Sequence, residues 1–473
     1  MSLAKKIAEN TALQIFGKII SVIVAIGAIA LLTRYLGTEQ FGWYTTSLTF
    51  LQFFGILADF GLVLVTSQML AAHPKNHQNI IHNLFSFRLV TAIVIIGIAP
   101  LIVFLFPYPL AVKQAVVLMT LMFFSISLQQ IFTGLFQEQL AMKWSVLAEV
   151  TSRILLIAGV ALTIYLDLGF MIAILAIVFA NIFQLFILAF GGMKFISIKL
   201  AYDKKIWHEI IQKSYPIAIA IFFNMIYLRS DILILSLQRS QAEVGIYGAA
   251  YKILDVLTQA PIMFMGLMLP ILTQLWVHKK KDQFKRMLEK SFHIFMIIGM
   301  PIIAGGLALA HPIMRLIAGE SFAASGTVAQ ILFLALIGGF LGALFGHVIV
   351  AINKQKHVIW IYTLVAAFAL TGYLITIPTL GMVGAAWVTV AAELLAGILL
   401  TRYVICCTNI HFKWKTIFTK TLLASAIMVV PILLLPHLHV LVLTGIGMVT
   451  YVAAAHILRI IDPRELIALV AKK

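Results

Sequence analysis

From Ile7 to Ile461, apolar stretches of about 20 residues follow one another with only short polar breaks. At ~1.5 Å per residue, a helix of that length crosses a ~30 Å hydrocarbon core. Lipid offers no partner to a backbone amide, so each stretch must close its hydrogen bonds within itself, as a helix. The expected fold class is an all-α polytopic membrane protein. Composition excludes a soluble globule: 62% of residues are apolar and only 11% charged, against ~25% charged in an ordinary soluble domain.

Runs broken by charge, Gly, Pro or Asn place helices near 10–36, 40–70, 82–106, 112–135, 143–168, 170–191, 208–237, 243–276, 288–318, 325–352, 357–377, 381–404, 417–436 and 438–461. That is about 14 transmembrane helices. The start MSLAKK resembles a signal peptide, but its apolar segment runs on to about Leu36, which reads as an uncleaved first span.

The charge is distributed with the same regularity. With a cytoplasmic N-terminus, most of the 34 Lys and Arg fall on one side, notably over 194–213 and 279–290, while the other side holds only Arg34, Lys113, Arg239 and Arg315. This is the positive-inside bias, and adding or removing a single span would scramble it. Both termini are then cytoplasmic. The bias also explains the net charge of +17 without nucleic acid, since the basic residues lie between spans and form no stripe.

The turn after the first span, "LTRYLGTEQFGWYTT" (Leu32 to Thr46), returns after the seventh as "LSLQRSQAEVGIYGAA" (Leu235 to Ala250). Gly42 aligns with Gly245, Tyr44 with Tyr247 and Phe41 with Val244. Gly37 and Gly42 suit a tight reversal. The offset spans six helices, an even number, so the two copies enter the membrane in the same orientation, as a parallel repeat. The expected domains are an N-lobe over 1–200, a C-lobe over 201–405 and a helix pair over 406–473.

These paired stretches, with the helix before each turn, resemble the signatures of bacterial polysaccharide flippases. That is the Wzx-like branch of the multidrug/oligosaccharidyl-lipid/polysaccharide exporter superfamily. The resemblance implies two six-helix lobes in a V in the bacterial inner membrane. It implies a function as well: moving an undecaprenyl-diphosphate-linked oligosaccharide to the periplasmic leaflet by alternating access.

Ionisable residues within a span are costly and normally face a bundle interior or a wet cavity. Gln14, Lys18 and Ser21 continue a stripe begun by Asn10 in the first span, and Gln52 and Asp59 lie seven apart in the second. Gln130 belongs to a polar row in the fourth, and Glu149 and Arg153 are spaced to pair in the fifth. Asn224, Tyr227 and Asp231 share a face of the seventh, with Arg229 nearly opposite Asp231, and the eighth carries Lys252, Asp255 and Gln259. Lys18, Arg153, Arg229 and Lys252 form a candidate cationic ladder for a diphosphate, because Lys and Arg attract phosphate strongly in a low-dielectric cleft. Gln14, Gln52, Gln130, Asn224, Tyr227 and Gln259 are the candidate polar lining.

Asp59, Glu149, Asp231, Asp255 and Glu393 are the candidates for coupling to H+ or Na+, the membrane potential being the other drive. Lys18, Asp59 and Glu393 lack an opposite charge nearby in sequence. Glu149 with Arg153, and Lys252 with Asp255, also read as neutralised pairs that fix helix contacts. Cys406 and Cys407 cannot build a disulfide framework, no His/Cys cluster has metal-ligand spacing, and no catalytic constellation or cofactor motif stands out. The expected partners are the lipid-linked glycan, membrane lipids and the glycosyltransferases or polymerase of the same process, for a monomeric protein. A lipid II flippase, a multidrug/cation antiporter and a non-transporting scaffold are the alternatives.

Overall fold

A computed structural model describes residues 3–59, 61, 62, 69, 77–139, 141–195, 199–410 and 414–460. Among them every regular element is a helix. In chain order these are α1 (Leu3–Asp59) and α2 (His77–Thr91), which runs through a π-helical turn (Ala92–Ile96) into α3 (Gly97–Val103). Then come α4 (Leu110–Glu138), α5 (Lys143–Tyr165), α6 (Gly169–Gly192), α7 (Lys204–Gln238) and α8 (Gln241–Val277). The rest are α9 (Lys281–Ala318), α10 (Ser325–Ala351), α11 (Ile359–Thr408), α12 (Trp414–Leu434) and α13 (Val440–Ile457). Twelve continuous helical stretches are long and apolar enough to span a membrane, so this is a multi-pass membrane protein.

Two of the twelve hold two spans each. Over 57 residues, α1 would be about 86 Å long if straight, far more than one bilayer. It breaks at Gly37, whose φ of 64° and ψ of −177° lie in a region essentially closed to other residues. Likewise α11 breaks at Gly381 (φ 57°) and folds back on itself: Gly372 packs on Val388, Gly384 on Thr376 and Leu380, and the Tyr373 hydroxyl lies 3.0 Å from that of Thr389. Counting both reversals gives the fourteen passes expected from hydropathy. Gly37, not Gly42, makes the first turn. The expected extension of the second span to about residue 70 lies outside the described residues except for Gly61, Leu62 and Met69, as do residues 461–473.

Helix direction is legible in the contacts. The first half of α1 meets α5 at Gly17 against Val146, Lys18 against Glu149 and Gly27 against Ile157. The Tyr35 hydroxyl donates to Asp167 just past the end of α5. Both sets of numbers rise together, so the helices run parallel, as a first and a fifth span must. By contrast α9 and α10 run antiparallel, with Gly299 on Phe340 and Gly306 on Phe333. Lipid tails are as apolar as Leu, so such small-residue crossings, more than burial from water, hold the helices together.

By contacts the chain divides into two compact units, 1–248 and 249–473. In the first, the buried Ile80, Ile81, Leu84 and Phe87 of α2 pack with Ile206 and Ile210 of α7. Asp203 caps α7 by accepting from the Lys205 and Ile206 amides, and its own amide donates to Asn83. In the second, α12 and α13 pack on α9 around Met428, Ile432, Leu443 and Tyr451, with the Tyr451 hydroxyl donating to the Ile297 carbonyl at 2.7 Å.

Candidate functional site

The two repeated turns meet within the first unit. A Cβ on Gly42 would overlap the Gln241 carbonyl, and one on Gly245 would overlap the Thr38 carbonyl. The aligned Phe41 and Val244 are both fully buried beside them. The Thr46 hydroxyl donates to Gln241 Oε1 at 2.8 Å, and Gly248 packs on Thr45. The motif that marks the repeat is thus a reciprocal backbone-to-backbone crossing. Gly42 is helical and serves as a contact, where the sequence pointed to a turn.

The ionisable groups sort by partner. Lys18 Nζ donates to Glu149 Oε1 at 3.3 Å, with both side chains half-buried. This differs from the local Glu149–Arg153 pair that helical spacing allowed, and it gives Lys18 an acidic partner 131 residues away in sequence. Four residues on from Glu149, Arg153 has Nε buried without an acceptor, and among the described residues no carboxylate pairs with it. It stands ten residues into α5, about 15 Å from that helix's first residue, close enough to Tyr44 to act on its hydroxyl electrostatically.

Asp59, expected to be alone, has a partner that sequence reading passed over. Arg88, the one charged residue of the α2–α3 run, is buried, and its guanidinium is fully engaged. Its Nη1 donates to the Asp59 carboxylate (2.5 Å) and carbonyl (3.1 Å), its Nε to the Ser127 carbonyl (3.1 Å), and its Nη2 to Gln130 Oε1. The cluster joins the end of α1 to α2 and α4. Its signal in the sequence is a lone arginine within an apolar run.

Asp231 is fully buried and accepts from the Tyr247 hydroxyl (2.6 Å) and the Ile232 amide (2.7 Å). The Asn224 amide donates to the Tyr227 hydroxyl at 3.1 Å, so these two share a face of α7. Arg229, Lys252, Asp255, Gln14 and Gln52 are half-buried, and Gln259 is exposed. The side chain of Asn10, which opens the α1 stripe, lies outside the described residues. Glu393 sits in the second unit beside Gly338 and Gly339 of α10. No group of three or more His, Cys, Asp or Glu suited to a metal occurs among the described residues.

What these parts amount to is a membrane chain, all-helical among the described residues, with a repeated glycine crossing and a half-buried cation whose Nε has no acceptor among those residues. A family model for polysaccharide biosynthesis protein matches residues 7–276. The chain belongs to that family. No curated protein sequence matches it. Among solved structures, "Lipid II flippase MurJ, inward closed conformation" is 15% identical, with 97% of this chain and 100% of that one covered and a TM-score of 0.76. An inward-facing multidrug resistance MATE transporter of the same superfamily is 14% identical over 82% of this chain and 94% of its own, with a TM-score of 0.69. A superfamily transporter from Pyrococcus furiosus, described as having a binding pocket of reverse polarity, is 14% identical over 86% and 94%, with a TM-score of 0.55. At such identities the likeness is one of fold, and it agrees with the resemblance drawn from the paired turns.

Proposed function

We propose that this protein is a flippase for undecaprenyl-diphosphate-linked oligosaccharide. It carries the glycan from the cytoplasmic to the periplasmic leaflet of a bacterial inner membrane for surface polysaccharide synthesis, working by alternating access and performing no catalysis. The observation that carries the reading is Arg153. A guanidinium at bilayer depth, with one N–H buried and unanswered, is costly unless an anion visits it. The neighbouring Lys18–Glu149 pair is half-exposed, so Lys18 can turn to the same phosphate at little cost. Arg229 of α7 and Lys252 of α8 are proposed for later steps of the diphosphate's path. A hand-over among several moderate sites suits transport better than one tight site. Asp59 is less suited to carry a proton, because taking one up would strand the Arg88 guanidinium. An ion gradient is the proposed drive, with both termini cytoplasmic and the glycosyltransferases or polymerase of the same process as partners.

Lipid II transport is the second reading, favoured by the complete coverage of the MurJ chain, which includes the C-terminal helix pair. It shares the diphosphate lipid and differs in the sugar. The deciding experiment reconstitutes the protein in liposomes and follows translocation of the two labelled lipids separately. Transport of the lipid-linked oligosaccharide over lipid II is expected, and the reverse preference would replace the first reading by the second. Arg153→Ala should raise the KM for the diphosphate lipid about tenfold or more, as loss of a charge-assisted contact of ~1.5–3 kcal/mol implies. An unchanged KM would remove Arg153 from the substrate path.

A further inference from the structure

Glu393 is a carboxyl group for which the substrate path has no use. It stands on α11 twelve residues past the Gly381 reversal, about 18 Å into the bilayer, near mid-depth. Two glycines of α10 bring the helices together there: a side chain on Gly338 would overlap the backbone of Glu393 and Leu394. A Cβ on Gly339 would lie 3.7 Å from Glu393 Oε2 and 3.8 Å from the Thr258 methyl of α8. Thr258 turns its hydroxyl to its own helix, donating to the Leu254 (3.0 Å) and Asp255 (3.1 Å) carbonyls.

The other titratable and charged groups on the elements packed here are Glu243, Tyr247, Tyr251, Lys252 and Asp255 on α8, His347 on α10, and Tyr362, Tyr373, Arg402, Tyr403, Cys406 and Cys407 on α11. Of these, His347 shares a hydrogen bond with the Ala343 carbonyl and Tyr373 one with Thr389. Among the described residues none donates to the Glu393 carboxyl or pairs with it. Along this α10–α11 crossing the half-buried Glu393 meets glycine, with a methyl group beside it.

We infer that Glu393 is a binding site for a single proton. A lone carboxylate at this depth is strongly disfavoured, and a proton neutralises it with no other ligand. A sodium ion, a hard cation, would need several oxygen ligands, whereas around Gly339 Thr258 presents its methyl group and Glu393 one carboxyl oxygen. The link between this proton and glycan movement rests on the flippase reading; proton binding itself does not.

Dicyclohexylcarbodiimide adds to protonated carboxyl groups in apolar surroundings. The full-length protein in proteoliposomes, without substrate, is treated over a range of pH and digested, and the adduct is located by mass spectrometry. Labelling at Glu393 should fall as pH rises, be indifferent to sodium, vanish in Glu393→Gln and persist at the same position in Glu393→Asp. Absence of the adduct, labelling that ignores pH, or protection by sodium would each overturn the proton site. If Glu393→Gln fails to fold, the pH and sodium dependence of the wild-type adduct decides alone. Wild-type protein that is labelled as expected but moves no lipid-linked oligosaccharide keeps the proton site and loses the flippase reading. Glycan transport without the adduct does the opposite.

Discussion

Two ion pairs in the first unit show how much burial decides. The Arg88 side chain is 3% exposed and its Asp59 partner 18%, whereas Lys18 and Glu149 are 35% and 27% exposed. Removing one partner of a buried, fully bonded pair typically costs ~3–5 kcal/mol, while an exposed pair contributes ~0–1 kcal/mol. Arg88→Leu should therefore lower the melting temperature in detergent sharply, and Asp59→Leu added to it should restore part of the loss. Lys18→Ala should melt like the wild type. Equal melting of Arg88→Leu and wild type would mean that the cluster does not hold α1, α2 and α4 together. The same contrast explains how far the site could be read from sequence. Lys18, Arg153 and Glu149 were found because charges in apolar runs stand out. Their pairing was not, because α1 and α5 meet across 131 residues of chain. Arg88 gives the same signal, but its partners Asp59, Ser127 and Gln130 lie on other helices, where no local spacing marks them.

Glycine decides more at the scale of helices than any polar group. Gly42 and Gly245 each face a backbone carbonyl, which cannot move aside as a side chain can. Gly305, by contrast, faces only the tip of Met428, 3.5 Å from a built Cβ. Gly42→Ala and Gly245→Ala should thus each separate α1 from α8, with a clear loss of thermal stability and of transport, while Gly305→Ala stays within about 0.5 kcal/mol, as surface-like substitutions do. If Gly42→Ala matched Gly305→Ala in both measurements, the reciprocal crossing would carry no weight. Helix count was legible because hydrophobic length is a local property. The role of Gly42 was not, because a glycine serving a turn and a glycine serving a crossing look alike in sequence, and only the positive φ at Gly37 tells them apart.

For the whole molecule, the strongest constraint is the charge bias, and the helix contacts inside each unit agree with the parity it assigns. The parallel run of α1 beside α5 and the antiparallel run of α9 beside α10 require the parity that the Lys and Arg distribution assigns to those spans. A span added or lost between α1 and α5 would make their parallel contacts impossible. The charge bias predicts a side for every loop, and two native cysteines test it without any insertion. Cys406 and Cys407 are exposed near the end of α11, on the side to which the charge bias assigns the cytoplasm. A membrane-impermeant maleimide should leave them unlabelled in right-side-out spheroplasts and label them in inverted vesicles, with Cys406→Ser/Cys407→Ser as the blank. A cysteine in place of Ser321, exposed in the turn that follows α9, should give the opposite pattern in that blank background. Labelling of the native pair from outside would reverse the orientation. The lysines over 279–290 would then face away from the cytoplasm, and the outward direction of glycan transport would fall with them.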